Sequence, residues 1–228
     1  MKRTRLLALL TLCVAALAAY ALVGSTLGYA FSLGVRPRAN RLAIVTVSGG
    51  VGVLMADEAA DAGVELPEAP PEAQSRILER IAFAGARNPV DVTGQVGNDH
   101  AVLDVAIDAL LDSGRYNGIA LFYSVSTLAP NTGEKNVASA LRVREKYPHI
   151  ATLVVSALRP EQREELEGEG CLCFTDPSRA VRSFAATSTL VVVLFYLIAQ
   201  MVGAGQLIKL LFGLRYEYAV GIVGVLMT

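Results

Sequence analysis

Charge is missing from two long stretches of this chain. Between Arg5 and Arg36, and again between Arg182 and Lys209, there is no Asp, Glu, Lys, Arg or His. Each run exceeds the roughly 20 apolar residues that a helix needs to cross a bilayer. The segment between them is of another kind, since residues 41–186 hold 13 basic and 20 acidic side chains, a net of −7. The formal charge of −1 over 228 residues averages three unlike pieces: +5 over residues 1–40, the acidic middle, and +1 over residues 187–228. At 53% hydrophobic and 18% charged, the chain is too apolar for a disordered or an ordinary soluble protein. The modest glycine content, the lack of heptads and the three cysteines exclude collagen, coiled-coil and disulfide-scaffold architectures.

The first 40 residues support two readings. The basic start, the apolar Leu6–Ala18 and the small residues of Ala19-Tyr20-Ala21 fit a signal peptide. The apolar run continues through Leu22-Val23 and Leu27–Leu33, which fits a signal anchor and favours it. Basic residues flank the run on both sides, so the positive-inside rule gives only a small bias towards a cytoplasmic N-terminus. At the other end, Thr189–Leu207 is apolar enough to span, whereas the apolar segment from Tyr218 to Thr228 is too short to cross. Residues 187–228 thus read as a transmembrane segment followed by a truncated one.

The middle alternates strand and helix signals. Leu42–Val47 reads as a buried parallel strand, and Ser48–Gly52 breaks it before a helical pattern that runs through Ala62. Further strands are predicted at Val90–Thr93, Gly118–Tyr123, Ala151–Ser156 and Cys171–Phe174. Helices are predicted at Glu72–Phe83, His100–Leu111, Lys135–Lys146 and Pro160–Glu167, and from Ser178 onward behind an Asp176-Pro177 start signal. This spacing predicts an α/β fold: a flavodoxin-like parallel sheet with helices on both faces, flanked by N- and C-terminal transmembrane helices.

The strongest local chemistry is Ser48-Gly49-Gly50-Val51-Gly52. A glycine-rich turn between a strand and a helix lets backbone N–H groups approach an anion, and the helix N-terminus adds partial positive charge. Glycines kept for tight packing explain the same residues equally well. The stretch is neither a Walker loop nor a dinucleotide fingerprint. A second cluster, Asn88-Pro-Val-Asp91-Val-Thr-Gly94, would face the same crevice from the carboxyl edge of the sheet; an ordinary Asx turn is the plainer reading.

No catalytic constellation can be assembled from spacing. His100 and His149 read as structural, and with two histidines and three cysteines no metal-site spacing is present. Cys171 and Cys173 lie two apart on a predicted strand and read as small buried hydrophobes without a mutual disulfide. The acidic run Glu161–Glu169 reads as a solvated helix face, and an acidic domain argues against nucleic-acid binding.

Residues 41–57, 88–94 and Phe174-Thr-Asp-Pro-Ser-Arg-Ala-Val-Arg-Ser183 together resemble the NDP-forming acyl-CoA synthetases, in particular their succinyl-CoA-ligase-like flavodoxin domain. The resemblance covers about residues 41–186. It implies that Ser48, Gly49, Gly50 and Gly52 contact a phosphate carried on a phosphohistidine, with Asn88 and Asp91 shaping the pocket. The family's Ser-His-Thr-Gly stretch, its CoA-binding domain and its ATP-grasp domain have no counterpart in this sequence. The resemblance therefore implies an accessory module, incomplete as a ligase, which meets CoA or nucleotide phosphate only through partner domains or subunits.

Residues 195–216 and 219–227 resemble the cation/acetate symporters of the sodium:solute symporter family, and the similarity runs from about residue 188 to the end. That resemblance implies the second reading, a symporter fragment carrying a soluble domain. One span and a fragment cannot form the inverted repeats that such transport needs. Both readings place the chain at a membrane, expected to be a bacterial inner membrane. CoA and nucleotides are cytosolic, which favours a cytoplasmic middle domain. A natural fusion, a fragment and an artificial chimera all remain compatible with this mosaic.

Overall fold

The computed structural model describes residues 29–30, 32–94 and 99–189, together with the single residues 202, 203, 206 and 218. The chain divides into two units, residues 1–188 and 189–228. The first contains the α/β domain described below. Nearly all of the second lies outside the described residues.

Five strands form one parallel sheet in the order β2-β1-β3-β4-β5: β1 Leu42–Thr46, β2 Val90–Asp91, β3 Gly118–Ser124, β4 Ala151–Ser156 and β5 Leu172–Phe174. This is the flavodoxin order, whose connections reverse direction between β1 and β3. Six helices connect or follow the strands: α1 Gly49–Asp61, α2 Pro71–Arg80, α3 Ala101–Leu111, α4 Thr132–Lys146, α5 Pro160–Gly168 and α6 over residues 177–189. β1, β3 and β4 are mostly apolar and buried along nearly their whole length because both faces of a parallel sheet are covered. Alternate residues feed two cores. Ala43, Val45, Ile119, Leu121 and Val154 meet Leu103, Ile107 and Leu110 of α3 on one side. Leu42, Ile44, Ala120 and Leu153 meet Met55 of α1 and Phe184 of α6 on the other.

Helix α6 sits close because β3 opens on a glycine. A Cβ on Gly118 would lie 2.3 Å from the Phe184 ring. Arg182 adds a hydrogen-bonded ion pair to Glu58 of α1 at 2.9 Å. Tyr29, Ala30, Leu33 and Val35, from the end of the first uncharged run, also lie against this core. Ala30 and Val35 are buried, and the Tyr29 hydroxyl donates to Glu167 at 2.6 Å while accepting from the Cys173 N–H at 2.9 Å.

The five strands and six helices match the predicted order, with two informative differences. Helix α1 begins at Gly49, inside the stretch predicted as a strand-breaking loop: Val51 and Gly52 already donate to Ser48 O at 3.1 and 3.0 Å. Helix α2 ends at Arg80 instead of Phe83, because Ile81 turns extended and Gly85 forms an antiparallel bridge with Asp91. Among the described residues no helix is long and apolar enough to cross a membrane. The predicted flanking spans fall mostly on residues outside the described ones.

Candidate functional site at the carboxyl edge of the sheet

The crevice of an open α/β sheet lies beyond the carboxyl ends of its strands, where the strand order reverses. Here that point is the end of β1, and Thr46 shapes it. Its buried hydroxyl donates to Ser48 O and accepts from the Ser48 N–H, both at 2.9 Å. This holds Ser48 extended, at φ −145° and ψ 109°, as the residue before α1, with its own side chain free of any capping bond.

The three glycines that follow differ in what they do. A Cβ on Gly49 would stand 2.8 Å from Asp91 Oδ2, and one on Gly52 would stand 3.1 Å from the Thr46 methyl and 3.4 Å from Pro89 Cβ. Packing explains both. Gly50 is exposed and a Cβ there would meet nothing within 4 Å, so packing does not account for it. Among the described residues, the Gly49 and Gly50 N–H groups donate to no acceptor of the chain. They are the orphan donors that every helix start presents.

Asp91 is brought to this helix start. Its Oδ1 accepts the Thr93 N–H at 2.8 Å, while Oδ2 lies beside Gly49. Asn88 spends its amide elsewhere: Oδ1 accepts the Ile44 N–H at 3.0 Å, and Nδ2 donates to Leu42 O and Pro67 O at 3.0 Å each. It supplies the hydrogen bonds that the very short β2 leaves unmade along β1, after which the chain passes a cis Asn88-Pro89 bond.

The loop after β3 holds a polar network that spacing did not reveal. Ser124 takes φ +57°, and the Ser156 hydroxyl donates to its carbonyl at 2.6 Å. Buried Thr127 meets Ser156 Oγ at 2.6 Å, and Gln162 Nε2 donates to Thr127 O at 2.9 Å. Fully buried Asn136 of α4 donates to Ser126 Oγ at 2.8 Å, and Ser126 in turn donates to Tyr123 O at 2.6 Å. Asn136 Oδ1 must therefore accept, so the ring of His100, 3.0 Å away, carries its proton on Nε2. The signal for this network was a polar residue, Asn136, on the apolar stripe of α4 that includes Val137, Ala140 and Val143.

Other reactive groups are quiet. Cys171 and Cys173 are free and buried, and burial pushes both thiols up to about 12, which leaves no thiolate nucleophile. Among the described residues no cluster of His, Cys, Asp or Glu could hold a metal ion. A cavity of about 830 Å³ between α4 and α5 is lined by Arg142, Arg144, Glu145, Glu164 and Glu165. It lies in the helical layer and takes no part in the crevice.

Several solved structures share this fold. A dinucleotide-forming acetyl-coenzyme A synthetase 1 of Ca. Korarchaeum cryptofilum in its apo form is 19% identical, with a TM-score of 0.62 over 78% of this chain and 39% of its own. Its complex with phosphate and ADP is 20% identical, with a TM-score of 0.61 over 77% of this chain and 38% of its own. A Pyrococcus horikoshii OT3 protein is 23% identical, with a TM-score of 0.60 over 75% of this chain and 40% of its own. This chain thus spans about two fifths of each of those proteins. The profile of the sodium:solute symporter family matches residues 174–228, a short stretch whose first part is α6, a helix of the α/β core. The profile of the Ligase-CoA domain matches residues 42–171, every strand of the sheet except β5, and on that match the chain belongs to the Ligase-CoA domain family.

Proposed function

We propose that this chain is a membrane-tethered accessory module of an NDP-forming acyl-CoA synthetase, holding phosphate at Ser48, Gly49 and Gly50 beside Asp91, with buried Gly52 packed behind them. The observation that carries the reading is Gly50: exposed, unhindered, and without a packing role, at a helix start whose first N–H groups find no acceptor among the described residues. Such a start is suited to an anion. The relative solved with phosphate and ADP makes inorganic phosphate the natural probe. Asp91 contributes a carboxylate at the same place, so a phosphate entering there displaces it or arrives protonated.

Phosphoryl and acyl chemistry need a phosphate carrier, a CoA site and a nucleotide site, and the relatives that share this domain are more than twice as long as this chain covers. Partner domains or subunits supply those functions. The exposed Val53 of α1 and the exposed Val125 and Leu128 after β3 rim the carboxyl edge, an apolar border suited to a covering partner. The purified chain alone should form no acyl-CoA from acid, CoA and nucleotide, and activity should appear only when the missing domains are added. Turnover by the isolated chain would contradict the accessory reading. Tethering rests on the two uncharged runs, and a cytoplasmic domain is the arrangement that gives it access to CoA. Reporter fusions after Ala39 and Thr187 test the side on which it lies.

The match to the symporter family over residues 174–228 supports a second reading, a symporter fragment carrying this domain. An open reading frame continuing past Thr228 into further spans would favour it.

A further inference from the structure

The opposite, amino edge of the sheet carries a second feature. A cavity of about 280 Å³ is lined by Arg36, Arg38, Arg144 and His149 with Gly34 and Pro148, and no acidic side chain contributes to its lining. Six of the thirteen arginines among the described residues, Arg76, Arg80, Arg87, Arg142, Arg163 and Arg182, pair with a carboxylate. Among the described residues Arg36, Arg38 and Arg144 do not. Arg144 is aimed by backbone carbonyls, its Nε donating to Glu169 O at 3.0 Å and its Nη1 to Ile150 O at 3.1 Å. That anchoring fixes the guanidinium without an ion pair to a carboxylate, although Arg144 also borders the larger cavity lined by Glu145, Glu164 and Glu165. Arg36 and Arg38 flank buried Pro37 and are themselves exposed. Three unpaired guanidinium groups converging in an otherwise acidic domain fit a phosphate-bearing anion.

The position of the cavity points to the source of that anion. Arg36 and Arg38 are the first charged residues after the uncharged run from Leu6 to Val35. The second uncharged run starts at Ser183 within α6, and α6 reaches the same edge, where the Ser188 hydroxyl donates to Asn40 Oδ1 at 2.9 Å. Both apolar runs therefore join the domain beside the arginine pair. We infer that this amino-edge cavity binds the phosphate of an anionic phospholipid headgroup and sets the domain edge-on against the bilayer. The inference rests on the tethering proposed above and is independent of the glycine turn at the other edge.

Arginine labelling of the full chain tests it. The chain is reconstituted in nanodiscs of phosphatidylcholine, or of an equal mixture with phosphatidylglycerol, treated with phenylglyoxal and mapped by mass spectrometry. Labelling at Arg36, Arg38 and Arg144 should fall about fivefold in the anionic discs, the factor expected for an arginine at an anionic surface. Arg179, exposed near the carboxyl edge, should label equally in both. The double substitution Arg36→Gln/Arg38→Gln, at exposed positions, should abolish the protection of Arg144 without changing the circular dichroism. Equal labelling of the cavity arginines in both discs would overturn the inference, as would protection by millimolar inorganic phosphate in neutral discs without any by phosphatidylglycerol. A chain that does not enter discs contradicts the tethering. The same labelling with phosphatidylglycerol vesicles added from outside then decides the headgroup site: protection upholds it, and no protection overturns it.

Discussion

At the scale of single residues, the two glycines at the start of α1 should respond in opposite senses. Gly50→Ala fills open space at an exposed helical position, so it should leave stability unchanged or raise it by up to about 1 kcal/mol. Gly49→Ala instead pushes the Asp91 carboxylate away from the Thr93 N–H that it accepts, which should cost about 1 kcal/mol. In an Asp91→Ala background that obstruction is gone and Gly49→Ala should become neutral or stabilising. Denaturant titration of the four variants measures the coupling, and additive effects would show that Asp91 does not occupy the place assigned to it. The sequence could mark these glycines but not separate them. What distinguishes Gly49 from Gly50 is the approach of a residue 42 positions away, which no local pattern contains.

Among the elements, legibility followed burial. Strands β1, β3 and β4 were readable because both faces are covered and the runs are mostly apolar. The start of α1 and the end of α2 were not, because contacts from β2 and its approach set both boundaries. Gly118 reads as an ordinary residue at a strand start, yet it holds the place of the Phe184 ring. Gly118→Ala should therefore destabilise the domain by about 1–3 kcal/mol, and the pair Gly118→Ala/Phe184→Leu should recover part of that loss in thermal melts. Asp108 of α3 was equally hidden. It accepts from Arg142 at 2.9 Å, Lys146 at 3.1 Å and the Tyr147 hydroxyl at 3.1 Å, tying α3 to α4. Asp108→Ala should lower stability by about 2 kcal/mol, since it leaves partly buried Arg142 short of an anion.

The link between α1 and α6 carries a pH dependence. Hydrogen bonds from Arg182 hold the Glu58 carboxyl below its usual value. A folded value below the unfolded one stabilises at pH above the ordinary glutamate range, and the contribution disappears as the pH falls through the lowered value. Arg182→Gln should thus melt earlier than the unmodified chain at neutral pH and converge with it under acid conditions. A difference that persists unchanged in acid would mean that Arg182 acts through packing instead.

For the molecule as a whole, the charge partition was the most instructive part of the sequence. The acidic middle holds a parallel sheet covered on both faces, and its edges carry different chemistry. The carboxyl edge presents glycine N–H groups, Asp91 and an apolar rim, while the amino edge presents unpaired arginines where the two uncharged runs join. The carboxyl edge was legible in part, since residues 48–52 and 88–94 were expected at one crevice, whereas the arginines of the amino edge were not, because they come from segments far apart in the chain. The central claim concerns the carboxyl edge, and calorimetric titration of the purified chain with inorganic phosphate tests it most directly. Binding in the millimolar range or tighter, abolished by Gly50→Glu with no loss of thermal stability, is the predicted result. No heat at millimolar phosphate, or equal binding by the Gly50→Glu variant, would contradict the account and leave the turn with its packing role alone.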